Sequence, residues 1–199
     1  KKVIQKIKSL TVSEILFKRV QRVKKIKKII FTIPNTIKNN FLDHHLKSIG
    51  ANVFRGDEKD VLKRYYLTAN KNKIDTIIRI TGDCPLSDPE IIDKMVSIYQ
   101  KHKVDYLFTS PKTFPDGFDV EIFSFKVLKY THLNAKKIYD REHVTSFIRR
   151  NQNKFKIKEI NYESNFYYDN SLIKLSLDTK KNFKKIKSVF NFFNSNIFF

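Results

Sequence analysis

Short apolar runs alternate with stretches of helical periodicity along almost the whole chain, and this alternation limits the fold more than any other feature. Residues 12–23 place Ile15, Leu16, Val20 and Val23 on one helical stripe. Residues 28–33 form an apolar run suited to a buried strand, stopped by Pro34-Asn35. Residues 36–49 read as a second helix, with Gly50 as its C-cap. Residues 52–55 are a short strand. After a Gly56-Asp57 turn, a helix over 58–70 sets Val61, Leu62, Tyr65, Tyr66 and Ala69 on one face. A strand at 76–80 follows. Asp88-Pro89-Glu90 then supplies an N-cap, a proline at the first helical position and an acid in the first turn. The helix it starts turns Ile91, Ile92, Met95, Val96 and Tyr99 inward. Strands are predicted at 104–108 and 119–124, helices at 125–135 and 141–150, strands at 156–162 and 172–177, and a last helix at 179–194. Repeated βα units imply a mostly parallel sheet covered on both faces. The strands at 119–124 and 156–162 follow less regular connections and are the candidates for antiparallel pairing.

Neither a repeat nor a linker interrupts this pattern, so one domain over residues 1–199 is expected. The net charge is +20, from 40 Lys+Arg against 20 Asp+Glu. Such an excess suits a polyanionic partner or simply a solvated lysine surface. The basic clusters at 24–28 and 180–187 both carry apolar residues at core spacing, and no arginine-rich arm or zinc-finger spacing occurs. Nucleic acid is therefore not the expected partner. No run reaches the ~18–20 apolar residues of a membrane span. The single cysteine excludes an internal disulfide framework and fits a reducing cytoplasm, the expected location. The sequence opens with Lys1 rather than Met, which leaves a preceding segment open.

Two acids stand at predicted strand ends. Asp83 follows Gly82 after the 76–80 strand, and Asp178 closes the 172–177 strand. In open α/β sheets ligands bind beyond the carboxyl ends of the strands. Two carboxylates brought there could share one hard cation, since Mg²⁺ takes one or two carboxylates plus phosphate oxygens and water. Each acid could equally do no more than cap its own turn or helix. Cys84, with nothing basic paired to it in sequence, reads as a small turn or core residue.

The segments VFRGDEKDVLKRYY (53–66), RITGDCPLSDPEIID (79–93), TFPDGFDVEIFS (113–124), REHVT (141–145) and LSLDT (175–179) carry a resemblance. They occur in order over nearly the whole chain and resemble the spore-coat-polysaccharide cytidylyltransferase-like family. That family is itself similar to the synthetases that activate 3-deoxy-manno-octulosonate and acylneuraminate with CTP. The resemblance implies a nucleotide-diphosphosugar transferase-like fold: a three-layer α/β/α sandwich with a mixed, mostly parallel sheet. It also implies a gap. Family members open with a strand and loop resembling IIQARxGSxRLPGKVL, whereas this sequence starts at KKVIQKI, where Lys2 falls on the motif's lysine. The first strand and the loop's glycine and arginines are absent from the sequence, as in a truncated chain or one that has lost its phosphate cradle.

The resemblance implies CMP transfer from CTP to a sugar, in particular a sugar acid, with loss of pyrophosphate, for surface polysaccharide synthesis. Asp83 and Asp178 would hold Mg²⁺, and Gly82 would let the chain turn tightly enough to present Asp83. Lys2 would contact phosphate. Arg55, Asp60 and Arg64 would lie on the nucleotide side, although Arg64 could instead pair with Asp60 one helical turn away. Asp116, Asp119, Arg141, Glu142 and His143 would line the sugar side. The family's DTPEDLE-like motif is here Asp178-Thr179-Lys180-Lys181-Asn182-Phe183, with two lysines at a helix start, where cations oppose the dipole. The alternatives are an inactive or truncated relative kept as a binding subunit, and a glycosyltransferase of the same fold. The latter would need a paired Asp-x-Asp where only Asp83 stands. The aromatic C-terminal tail is a candidate contact for a second copy, as in a homodimer.

Overall fold

The computed structural model describes residues 2–162, 172–193 and 196–198. A 3-10 turn at Lys2–Ile4 leads into a small hairpin, β1 (Lys6–Ile7) and β2 (Leu10–Thr11), and then into α1 (Val12–Val20). Next come β3 (Ile30–Pro34), α2 (Asn40–Ser48), β4 (Asn52–Gly56), α3 (Val61–Lys71) and β5 (Thr76–Arg79). The chain continues through α4 (Pro89–His102), β6 (Tyr106–Thr109), β7 (Glu121–Ser124), α5 (Phe125–Asn134), α6 (Ile138–Glu142) and α7 (Ser146–Arg150). β8 (Ile157–Ile160) and α8 (Lys180–Phe192) complete it.

β3 and β4 pair in parallel, while β5, β7, β6 and β8 form a four-stranded mixed sheet in that order. β7 runs antiparallel to both neighbours, as its irregular connection suggested. The loop from β6 to β7 carries no helix, so it supplies no crossover and the strand returns reversed. β8 is parallel to β6, which corrects the antiparallel expectation for 156–162. Three helices, α5 to α7, precede β8 and provide the crossover that a parallel strand needs.

Alternate residues of the four-stranded sheet enter different cores, as the pleat requires. Ile77, Tyr106 and Phe123 face α3, α5 and α7, in a cluster with Leu62, Leu128 and Phe147. Ile78, Leu107 and Ile122 face α4, in a cluster with Ile92, Met95 and Val96. Helices thus cover both faces. A third cluster joins α1, the hairpin and α8 through Ile7, Ile15, Ile186 and Phe190. The fourth packs α1 and α2 on the β3–β4 pair through Phe17, Ile33 and Leu46.

Several boundaries follow the expected chemistry. Asp88 accepts from the N–H groups of Glu90 at 2.7 Å and Ile91 at 3.1 Å, so the Asp-Pro start of α4 stands. Gly50, at φ 82°, follows the C-cap Ile49 and ends α2, one position beyond the expected cap. Elsewhere tertiary contacts override periodicity. The helix expected over 141–150 is split into α6 and α7 by His143–Thr145, with Val144 at φ 31°. The strand expected over 172–177 is reduced to a single parallel bridge between Lys174 and Asp116. The hairpin had no sequence signal, because its strands are two residues long. No helix among the described residues is long and apolar enough to cross a membrane.

Candidate active site

β5 ends at Arg79, and residues 80–87 form a compact turn. The Cys84 N–H donates to the Thr81 carbonyl at 3.2 Å, and the Ser87 N–H to the Cys84 carbonyl at 3.1 Å. Arg19, only 1% exposed, fixes this turn from α1 by donating to the carbonyls of Ser87 at 3.0 Å and Leu86 at 3.4 Å. Cys84 is buried beneath the turn, as expected, with its sulfur 2.9 Å from Thr81 Oγ1. Burial, then the charges of Asp83 and Asp119, push its thiol well above the ordinary range, so it is an inert core thiol.

The chain that carries Asp178 reaches this turn from the far end of the sequence. The Leu177 N–H donates to the Asp83 carbonyl at 2.8 Å. One step earlier, Ser176 Oγ lies 2.7 Å from Asp116 Oδ2 and 3.1 Å from Asp178 Oδ2. Asp116 is clamped by its backbone: its N–H donates to the Ile173 carbonyl at 3.0 Å, and its carbonyl accepts from Leu175 at 2.8 Å. Asp119 Oδ2 accepts from the Gly117 N–H at 3.1 Å. Burial raises the Asp119 pKa, and neighbouring Asp116 and Glu121 add to the effect against the Gly117 hydrogen bond. Lys2 Nζ sits 3.6 Å from Asp178 Oδ1, both side chains being more than half exposed. The structure therefore brings Lys2, Gly82, Asp83, Asp116, Asp119 and Asp178 to one place from four separate stretches of sequence.

Gly82 does not do what was expected of it. Its φ is outside the left-handed region, and a Cβ there would meet only Val3 Cγ1 at 3.9 Å. The turn does not require glycine. Its lack of a side chain instead leaves open space beside Asp83.

The remaining expected residues are occupied elsewhere. Arg55 donates to the Thr36 carbonyl and to Asn40 Oδ1, each at 2.8 Å, and lies 3.6 Å from buried Asp43. Arg64 does not pair with Asp60; its guanidinium donates to the Asp57 and Glu58 carbonyls and holds the loop before α3. Asp60 caps α3 by accepting from the Lys63 N–H at 2.9 Å, and it is held by Arg141. Arg141 also donates to the His132 carbonyl at 2.7 Å. Asp60 and Arg141, expected on opposite substrates, are thus one brace. Glu142 and His143 are exposed, with the His143 ring 4.3 Å from that of Tyr139.

A second charged group escaped the sequence reading. Glu121 is 4% exposed on the central strand β7. It accepts from Arg79 and Tyr106, from Thr145 Oγ1 at 2.7 Å and from Arg149 Nη2 at 2.9 Å. Burial pushes its carboxyl up, but Arg79, Tyr106 and Arg149 outweigh that and hold it below the usual range. The available signal was an acid in an otherwise apolar strand, opposite an arginine that also ends an apolar strand.

Asp83 and Asp178 are two partly exposed carboxylates on adjoining chain segments, which would suit magnesium if further positions went to phosphate oxygens and water. Among the described residues no three His, Cys, Asp or Glu side chains are placed to hold a metal by themselves.

Residues 1–197 match the family profile described as cytidylyltransferase. Among curated relatives, an uncharacterized protein of Methanocaldococcus jannaschii, MJ1063, is 40% identical over 92% of this chain and 74% of its own length. The spore coat polysaccharide biosynthesis protein SpsF of Bacillus subtilis is 29% identical over 76% of this chain and 62% of its own. A cytidylyltransferase structure from Leptospira borgpetersenii superposes with a TM-score of 0.92 at 29% identity, covering 100% of this chain and 82% of that one. At 11% identity, the fold recurs in CMP:2-keto-3-deoxy-manno-octonic acid synthetase, with a TM-score of 0.69 over 96% of this chain and 91% of that one.

Proposed function

This chain belongs to the cytidylyltransferase family, and from that premise we propose that it transfers CMP from CTP to a sugar, most simply a sugar acid, in cytoplasmic precursor synthesis for a surface polysaccharide. The observation that carries this reading is the bond from the Leu177 N–H to the Asp83 carbonyl. It sets Asp83, in the turn after β5, and Asp178, just before α8, on adjoining chain segments, with Lys2 beside Asp178. The polysaccharide context is supported by the SpsF likeness.

In the reaction a sugar hydroxyl oxygen bonds to the α-phosphorus of CTP, the bond from that phosphorus to the β-phosphate oxygen breaks, and pyrophosphate leaves. The protein's part is placement and charge compensation. Asp83 and Asp178 would hold magnesium, which would supply charge compensation for the phosphates. Lys2 leaves Asp178 for a phosphate oxygen, a small step for a loose, exposed pair. Open space at Gly82 lets phosphate come against the turn. Asp119, with its carboxyl pushed up, is suited to take the proton of the attacking hydroxyl. Asp116, held by Ser176, lies on the sugar side, with Glu142 and His143 as outer contacts. Arg55, Asp60, Arg64 and Arg141 act through the contacts they already make, as braces around α2 and α3.

The test is pyrophosphate release with magnesium, a panel of sugar acids and each of CTP, UTP, GTP and ATP. Turnover with CTP alone, abolished by Asp83→Asn at unchanged melting temperature, is the expected result. Equal turnover with all four nucleotides overturns the cytidylyl assignment. Full activity in Asp83→Asn overturns its role at the metal.

A further inference from the structure

We propose that the outer face of α8 docks this protein onto an anionic membrane surface. The inner face is fully committed: Ile186 and Phe190 are 0% exposed in the cluster that also holds Ile7, Val12, Ile15 and Leu177. At ~100° per residue, Lys180, Lys184 and Lys187 form one outer row, and Lys181, Lys185, Ser188 and Phe192 form the next. Every one of these side chains is exposed, Phe192 to 82%. No Asp or Glu occurs between residues 179 and 193, and none of the five lysines is in an ion pair among the described residues. Lys180–Lys184 and Lys181–Lys185 are like-charge pairs one helical turn apart, which disfavour the helix when alone. A layer of anions over the face reverses that effect.

The chemistry of the face selects the partner. A second copy, also carrying +20, would be repelled. A nucleic-acid duplex would satisfy the lysines but not the phenylalanine that ends one row, and α8 has no arginine for planar phosphate or base contacts. A lipid surface satisfies both, with anionic headgroups over the lysines and the interfacial layer around Phe192. The exposed lysines Lys6 and Lys8 belong to the hairpin that packs on the same cluster. Because α8 starts two residues after Asp178, docking along its outer face sets the acid cluster beside the N-terminal end of the docked helix. This inference does not depend on which sugar or nucleotide reacts.

The full-length chain is sedimented with phosphatidylcholine vesicles, and with vesicles containing about one third phosphatidylglycerol, an anionic composition. Binding to the anionic vesicles only is expected. Reversal of Lys184, Lys185 and Lys187 to Glu should lower it at least ~10-fold, since each lysine near the surface contributes several-fold. Reversal of Lys101, Lys126 and Lys129 makes the same change in net charge on other exposed helix positions and should leave most of the binding. Phe192→Ser, with no change in charge, should weaken vesicle binding severalfold while leaving binding to a double-stranded RNA oligomer unaltered. Equal losses in the two triple variants overturn the proposal, because the binding then follows net charge. Tighter binding to RNA than to vesicles, with Phe192→Ser silent on vesicles, also overturns it, in favour of a nucleic-acid face.

Discussion

Arg141 chelates the carboxylate of Asp60 from 81 residues away, with Nε 3.0 Å from both oxygens and Nη2 2.6 Å from Oδ2. The pair is about four-fifths buried at each end and ties the start of α3 to α6. A forked, charge-assisted contact of this kind exceeds the strength of an exposed ion pair. We expect Asp60→Ala and Arg141→Ala each to lower stability by about 1–3 kcal/mol. The double variant should cost less than the sum of the two, because each single change already breaks the brace. Arg141→Lys should recover little, since an ammonium cannot reproduce the fork. Urea denaturation of the four variants measures the coupling; strict additivity would show that the brace carries no energy.

Glu121 contributes to the acid sensitivity of the fold. Its folded pKa lies below the ordinary value because Arg79, Tyr106 and Arg149 together outweigh burial. A depressed carboxylate contributes stability that is fully present above its unfolded pKa, near 4.3, and is lost as pH falls through the folded value. Glu121→Gln leaves Arg79 and Arg149 without their counter-charge and should cost about 3–5 kcal/mol at neutral pH. The variant should also lose part of the wild-type fall in stability below about pH 4.3. Urea midpoints taken across the acid range check both statements.

Val144 sits at φ 31° with 0% exposure, a left-handed conformation that is costly for a β-branched residue. On one side Arg141 is held by Asp60, and on the other Thr145 donates to Glu121. The backbone between these anchors has no regular alternative. Val144→Ala removes core contacts and keeps the strain, whereas Val144→Gly removes both. Glycine ordinarily destabilises relative to alanine by about 0.5–1 kcal/mol within regular elements. Here we expect the order reversed, with the glycine variant about 1 kcal/mol the more stable of the two. Paired thermal melts decide it.

These residues also show what the sequence could reveal. Asp88-Pro89 and Gly50 act through bonds a few residues away, so their roles are readable locally. The βα alternation is legible because each strand lies between helical layers, with Ile77 and Ile78 entering opposite cores. Asp83 was legible as an acid beyond a strand end; for Asp178 the expected strand is absent, and the meeting of the two segments depends on a backbone bond that no pattern encodes. Glu121 was missed because its partners lie on β5, β6 and in the 145–149 segment, and only register brings them together. The split of the 141–150 helix was missed for the same reason: periodicity there favours one helix, and two distant anchors break it.

The two glycines of the site separate folding from chemistry. Gly117 has φ 105°, and a Cβ there would lie 2.7 Å from the Leu175 carbonyl carbon and 2.9 Å from the Ser176 nitrogen. Those are backbone atoms of the segment that delivers Ser176 and Asp178, so they cannot move aside alone. Gly117→Ala should therefore lower stability by about 2–4 kcal/mol and displace that segment, with activity falling in step. Gly82→Ala meets only Val3 Cγ1 at 3.9 Å, without a left-handed backbone, so its melting temperature should stay within about a degree of wild type. If the open space beside Asp83 receives phosphate, the added methyl group should still cut pyrophosphate release by 10-fold or more, roughly the effect of an ångström-scale misplacement. Melting curves and turnover measured on the same two preparations give the contrast. Normal turnover in Gly82→Ala would remove phosphate from that space and leave Lys2 as the phosphate contact on this side of the turn.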